Sequence, residues 1–136
     1  MKELLSYLES IYPMTDGLKQ HLATILKEKE LCKKSYLLKA GHVSRNIYFI
    51  GHGLIRCFYI KDDHEVSSWF MKEGDVIVSV ESFFSQKQSY ESIQALEDCI
   101  LYYITYDELQ FVYNHFPEFN FIGRVLVEKY YETVAK

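Results

Sequence analysis

Apolar side chains recur every three or four residues near both ends of the chain, the spacing that predicts amphipathic helices. Near the N-terminus, Pro13 separates two such segments. Toward the C-terminus, Thr105 and Glu108 have the spacing of a capping box, which predicts a helix start. The four predicted helices cover residues 3–11, 15–29, 105–116 and 118–135.

The middle of the chain changes to short runs rich in Tyr, Ile, Val and Phe, separated by glycines and charged turns. Short strands at regular intervals are typical of a small antiparallel sandwich or barrel. We therefore expect a single domain that is mainly β, with N-terminal helices in 1–30, a β-barrel in 31–104 and C-terminal helices in 105–136. The predicted strands are 31–39, 46–51, 54–60, 65–71, 76–80, 90–96 and 99–104.

The last predicted helix is apolar around more than half of its circumference. A helix that covers its own barrel needs one apolar stripe, so a second stripe indicates a second partner. Phe121 and Val125 widen the main stripe in this way. The simplest partner is the same helix of another copy, which predicts a homodimer. The predicted dimer-interface residues are Phe119, Ile122, Leu126, Tyr130 and Val134.

Composition narrows the function classes. The 136 residues carry a formal charge of −4, a poor match to the surplus of Lys and Arg that binds phosphate, so we expect no DNA binding by this chain alone. No apolar run approaches the roughly 20 residues of a membrane span, and no signal peptide is visible. The cysteines, Cys32, Cys57 and Cys99, are odd in number and far apart, which favours a reducing cytoplasm and buried, inert thiols.

Four segments of the chain have a pattern typical of a known family, namely Ile47–Arg56, Gly74–Ile77, Val80–Phe84 and Ile93–Asp98. Together they resemble the sensor half of Crp/Fnr-type bacterial transcription regulators, a cyclic-nucleotide-binding-like domain. The resemblance covers nearly the whole chain and implies a jelly-roll-like double-stranded β-helix followed by a long dimerisation helix. It also implies a helix-turn-helix domain beyond the end of this chain, through which alone DNA would be bound.

In the family's cyclic-nucleotide binders, a Glu holds the ribose and an Arg pairs with the cyclic phosphate. Glu81 matches that Glu, whereas Ser89 stands at the Arg position, and no arginine lies between Arg56 and Arg124. The chain is therefore similar to a divergent branch that lacks the cassette arginine. Loss of one charge-assisted bond costs roughly 1.5–3 kcal/mol, so we expect weak or absent cAMP binding and an unidentified small-molecule effector.

Acceptors, hydroxyls and aromatic rings around the cassette form a candidate effector pocket, and the last helix is expected to close it. The alternative is that the aromatic residues fill the barrel and that residues 89–92 form a surface loop. The predicted ligand-binding residues are Trp69, Glu81, Ser82, Phe83, Ser89, Tyr90, Glu91, Ser92 and Tyr130.

Other functions have weaker support in the sequence. A standalone small-molecule-binding module without DNA binding has the same pocket. A cupin-like metalloprotein needs an HxH pair, which the histidines do not provide, so we predict neither a metal site nor a cofactor. Glu81 and Glu91 as an acid–base pair rest on spacing alone, and we predict a non-enzymatic regulator.

Overall fold

The computed structural model describes residues 2–134. Helices α1 and α2 at the N-terminus lead into eight strands, a short helix α3 interrupts them, and helices α4 and α5 follow. The helices are α1 Lys2–Ile11, α2 Asp16–Ile25, α3 Val80–Ser85, α4 Tyr106–His115 and α5 Phe119–Val134. The strands are β1 Lys27–Leu31, β2 Tyr36–Leu38, β3 Asn46–His52, β4 Ile55–Lys61, β5 His64–Met71, β6 Val76–Ile77, β7 Ser92–Ala95 and β8 Cys99–Thr105.

The strands form two antiparallel sheets of four strands each, in the orders β1-β8-β3-β6 and β2-β7-β4-β5. Alternate side chains of both sheets point inward, and fully buried Ile50, Ile55, Met71 and Leu101 form the centre of the core. This arrangement confirms the predicted mainly β, jelly-roll-like fold with flanking helices.

The tight connection between β3 and β4 depends on glycine. Gly53 has a φ of +112°, a conformation that side chains with a Cβ rarely adopt. A Cβ there would also lie 3.0 Å from the backbone oxygen of Asp98. Gly53 therefore lets the chain pass closely over the start of β8 on its way from β3 to β4.

The boundary between the N-terminal helices and the barrel lies earlier than predicted. Helix α2 ends at Ile25, and the predicted last turn of that helix is instead strand β1, paired from Lys27 to Leu31 with β8. Lys and Glu favour helices in isolation, but pairing with an available sheet edge outweighs this modest preference.

The C-terminal half of the predicted strand 76–80 also differs. Strand β6 ends at Ile77, and Val80 already begins helix α3.

Helix α4 begins as predicted, since the Thr105 hydroxyl accepts a hydrogen bond from the Glu108 N–H and the Glu108 carboxylate accepts one from the Thr105 N–H.

Candidate functional site

An open cleft of about 530 Å³ lies between helix α3, helix α5, strand β5 and the segment that enters β7. We call it the α3–α5 cleft. Its wall comes from four parts of the chain that are distant in sequence, and only the barrel and the returning last helix bring them together. The lining residues are Ser68, Trp69, Val80, Glu81, Tyr90, Glu91, Tyr130, Tyr131 and Val134.

Strand register builds the floor of the cleft. Cys57 on β4 pairs with Trp69 on β5 and with Ile93 on β7, so the three side chains lie in one row across the sheet. Glu91 precedes Ile93 by two residues and therefore points to the same side. The sheet thus places an aromatic ring, a thiol and a carboxyl group next to one another.

The Glu91 side chain is buried and held in place. Its Oε2 accepts a hydrogen bond from the Cys57 thiol at 3.1 Å, and its Oε1 accepts one from the Ser79 hydroxyl at 3.4 Å. Its backbone N–H donates to the Ser89 hydroxyl at 3.0 Å. Burial, followed by the nearby Glu91 carboxylate, raises the pKa of Cys57, so the thiol stays protonated as a donor.

Aromatic side chains form the outer wall of the cleft. The rings of Trp69 and Tyr130 lie 6.2 Å apart at 79°, and those of Tyr130 and Tyr131 lie 5.8 Å apart at 79°. Burial, and then the Glu91 carboxylate, raises the pKa of Tyr130, so this phenol is neutral. Tyr90 stands at the rim and is mostly exposed.

Five of the nine residues predicted for ligand binding line this cleft, namely Trp69, Glu81, Tyr90, Glu91 and Tyr130. Ser68, Val80 and Val134 also line it and were missed, because no sequence signal marks which residues of a strand or helix face a cleft. Tyr131 of the last helix, the helix expected to close the pocket, also lines the cleft.

The other four predicted ligand residues lie beside the cleft, in supporting positions. Phe83 is fully buried in the core, as the filled-barrel alternative expects. The Ser82 hydroxyl accepts the Ser44 N–H at 2.8 Å, and the Ser92 hydroxyl accepts the Ala40 N–H at 2.9 Å. Ser89 bonds to Ser79 and Glu91. These serines fix the loops around the cassette, and their hydroxyls are already used.

Most of the predicted dimer-interface residues are buried within the chain itself instead of facing outward. Phe119, Ile122 and Tyr130 are buried against the chain's own core, since the main stripe of α5 covers the barrel and the N-terminal helices. Leu126 and Val134 are partly exposed. The outward apolar residues of α5 include Phe121, which is 49% exposed and stacks on Tyr12 at 4.8 Å.

A second, smaller cavity of about 70 Å³ lies beneath α1, α2 and α5. Leu8, Leu22 and Ile104 are among its lining residues, and nearly all of its wall is apolar. It lacks the few convergent polar groups that orient a ligand. The α3–α5 cleft, which has them, is therefore the candidate site.

The described residues also bear on metal binding and on membrane spanning. Within residues 2–134, no group of three or more His, Cys, Asp or Glu side chains is placed to hold a metal ion. No helix in the same range is long and apolar enough to cross a membrane.

Cys57 and Cys99 are buried as predicted, whereas Cys32 is exposed, because it lies just past the end of β1 rather than within a strand.

The two antiparallel sheets with their flanking helices form the fold of a cyclic-nucleotide-binding type of domain. Residues 28–116 match the family described as "Cyclic nucleotide-binding domain", so the chain belongs to that family. A search of curated protein sequences finds no significant match.

Solved structures share the fold at low sequence identity. The catabolite activator protein of Thermus thermophilus is 13% identical with a TM-score of 0.74, over 92% of this chain and 58% of that one. The N-terminal domain of a transcriptional regulator from Streptomyces coelicolor is 19% identical with a TM-score of 0.67, over 85% and 78% of the two chains. The present chain therefore spans well under two thirds of the Thermus protein's length.

A third similar structure comes from a different kind of protein. It is the regulatory subunit of a cAMP-independent protein kinase A from Trypanosoma cruzi, bound to guanosine. It is 16% identical with a TM-score of 0.72, over 92% of this chain and 44% of that one. The same fold is thus present in regulators and in kinase subunits.

Proposed function

We propose that this chain is the effector-sensing and dimerisation domain of a Crp/Fnr-like transcription regulator, and that its effector is not cAMP bound in the family's usual manner. The domain is a non-enzymatic binding module that works in the cytoplasm. DNA is bound only through a helix-turn-helix domain outside these residues. The similar structures that are named as an activator and as a transcriptional regulator support this assignment.

The chemistry of the α3–α5 cleft is the main argument against cAMP as its ligand. A buried carboxyl group, that of Glu91, forms part of its wall, and among the described lining residues there is neither Lys nor Arg. A cyclic phosphate bound here would lose its hydration without gaining a charge-assisted hydrogen bond. The Trypanosoma cruzi protein, described as cAMP-independent and bound to guanosine, supports a ligand without a phosphate on this fold.

The cleft also suggests how a ligand signals. Tyr130, Tyr131 and Val134 belong to α5, whereas Glu81 belongs to α3 and Trp69 to the barrel. A ligand that touches all three elements favours the arrangement of α5 in which those contacts are best. A domain that follows α5 would be shifted by the same preference, which is a coupling between two sites.

The dimer is proposed through α5, with a second copy of the chain as the partner. Since the main apolar stripe covers the chain's own core, the outward stripe of Phe121 and Val125 is the part available to a partner. Leu126 and Val134 pack against the core of the chain, so only the exposed parts of these two side chains are available to a partner. Size-exclusion chromatography with light scattering of the 136-residue chain tests this, and a strict monomer at high concentration would contradict it.

Calorimetric titration of the chain with cAMP tests the effector assignment. We expect no saturable binding in the micromolar range, and a low-micromolar dissociation constant would overturn the proposal. Adenosine, which has the base and ribose of cAMP but no phosphate, is the matched control ligand and is titrated in the same way. If the Glu91 carboxylate repels the phosphate, the Glu91→Gln variant reduces any difference between adenosine and cAMP, whereas a Glu65→Gln control outside the cleft leaves it unchanged.

A further inference from the structure

The α3–α5 cleft combines negative groups with aromatic surface. Glu81 and Glu91 contribute carboxyl groups, and Trp69, Tyr90, Tyr130 and Tyr131 contribute rings. Since no Lys or Arg occurs among the described lining residues, no side chain of the wall neutralises these carboxyl groups. Such a cleft repels an anion and attracts a cation.

The arrangement of the rings suits a positive charge. The ring plane of Tyr130 is inclined at 79° to that of Trp69 and at 79° to that of Tyr131. The three rings therefore face different directions around one corner of the cleft. A cation within about 6 Å of a ring centre is attracted to its face, and this attraction increases when the site is shielded from water. Trp69 and Tyr130 are both buried, at 5% and 8% exposure.

The Trp69 indole completes the aromatic corner. Its Nε1 is buried below the surface, beside the Tyr130 side chain. A ligand in the cleft therefore contacts the rings rather than this N–H group.

We infer that the α3–α5 cleft binds a small organic cation, an amine or a quaternary ammonium compound. The cationic group lies against the aromatic corner, and Glu91 provides the fixed counter-charge because the Cys57 thiol holds its carboxylate in place. This inference rests on the proposed function and names the chemical class of its effector.

The chain contains one tryptophan, Trp69, so its intrinsic fluorescence reports directly on the cleft. The probe is choline, with 3,3-dimethylbutan-1-ol as its neutral isostere of nearly the same shape. A second pair is benzylamine with benzyl alcohol. We expect saturable fluorescence changes with each cation and at least about tenfold weaker binding of its neutral partner, the factor that about 1.4 kcal/mol of cation attraction gives.

Two variants separate charge from shape. Glu91→Gln keeps the size of the side chain and is expected to weaken choline binding about tenfold while leaving the neutral alcohol unchanged. Glu65→Gln removes a carboxylate that pairs with Arg56 outside the cleft, and no change is expected. Thermal melts of both variants show whether each is folded. If Glu91→Gln does not fold, Glu81→Gln, on the exposed rim, takes its place with a smaller expected loss.

The outcomes distinguish this inference from the proposed function. If the alcohols bind as well as the cations, or if neither cation binds at millimolar concentration, the cationic class is wrong while a sensor without cAMP is still supported. If cAMP binds with micromolar affinity and the cations do not, both are wrong. Binding of choline that is lost in Glu91→Gln and kept in Glu65→Gln supports both.

Discussion

The Cys57 thiol and the Glu91 carboxylate form a buried hydrogen bond of 3.1 Å that joins strand β4 to the segment entering β7. The bond places Glu91 at the cleft floor. Burial, together with the neighbouring carboxylate, raises the pKa of the Cys57 thiol far above its ordinary value. Since the thiolate is the nucleophilic form, Cys57 is expected to be unreactive in the folded chain.

Alkylation with iodoacetamide tests this expectation. In the native chain we expect rapid modification of exposed Cys32 and none of buried Cys57 or Cys99. Burial raises the pKa of Cys99 as well, which further reduces its reactivity. Peptide mass spectrometry after brief labelling measures each site, and labelling in denaturant is the control in which all three react. Fast labelling of Cys57 in the native chain would show that the Glu91 contact does not persist.

The second prediction concerns the start of helix α4. Thr105 and Glu108 cap each other, and Lys27 of β1 donates to the Glu108 carboxylate at 2.6 Å. Thr105→Ala removes one of these bonds and is expected to lower the free energy of unfolding by about 1 kcal/mol. Thermal or urea unfolding measures the loss, and a variant at exposed Thr24, which caps no helix start, is the control.

The same contact predicts a pH dependence. Burial tends to raise the pKa of Glu108, but the hydrogen bonds from Lys27 and Thr105 outweigh it, and the folded-state pKa lies below the ordinary value. Such a group stabilises the fold above its unfolded pKa of about 4.3, and this contribution disappears as the pH falls through the folded value. The stability difference between the wild type and Glu108→Gln should therefore shrink below about pH 4. A difference that grows on acidification would contradict the assigned direction.

Periodicity alone predicted most of this fold, and the exceptions have physical causes. The helices and the strand-rich middle follow from hydrophobic spacing, because each element buries one face. Residues Lys27–Leu31 were predicted partly as helix because Lys and Glu favour helix, yet β8 offers them an unpaired edge. That edge exists only once the rest of the barrel has formed, so no local signal predicts it.

The site was predicted less completely than the fold. The family resemblance identified the cassette, and with it Glu81 and Glu91, but not which side chains face solvent, core or cleft. Ser82 and Ser92 have the same polar character as a binding serine, whereas their hydroxyls hold backbone groups of distant loops. The Cys57–Glu91 contact depends on the register between β4 and β7, which a single sequence does not reveal.

The third prediction separates the two sides of helix α5. Phe121→Glu places a charge on the outward stripe and is expected to give a folded monomer, because Phe121 is largely exposed. Ile122→Glu, one residue further on, places the charge in the core, where Ile122 is fully buried. We expect the latter to lose roughly 3 kcal/mol or more of stability. Light scattering and circular dichroism distinguish the two results. A dimeric Phe121→Glu variant would exclude this stripe as the interface.

The fourth prediction uses two glycines in helices. Alanine favours a helix over glycine by roughly 0.5–1 kcal/mol, so Gly→Ala stabilises a helix wherever there is room. At Gly17 of α2, a Cβ would meet only the Phe116 ring at an ordinary 3.7 Å, and Gly17→Ala is expected to raise the melting temperature.

At Gly123 of α5, a Cβ would overlap the Tyr113 side chain, whose Cε1 would lie 2.7 Å away. Tyr113 packs against Phe119, so its ring has little freedom to move aside. Gly123→Ala is therefore expected to lower the melting temperature despite the same helix-propensity gain, because α5 must shift outward from α4. Paired thermal melts of the two alanine variants measure the opposite signs. Stabilisation by Gly123→Ala would mean that α5 does not approach α4 as closely as this packing requires.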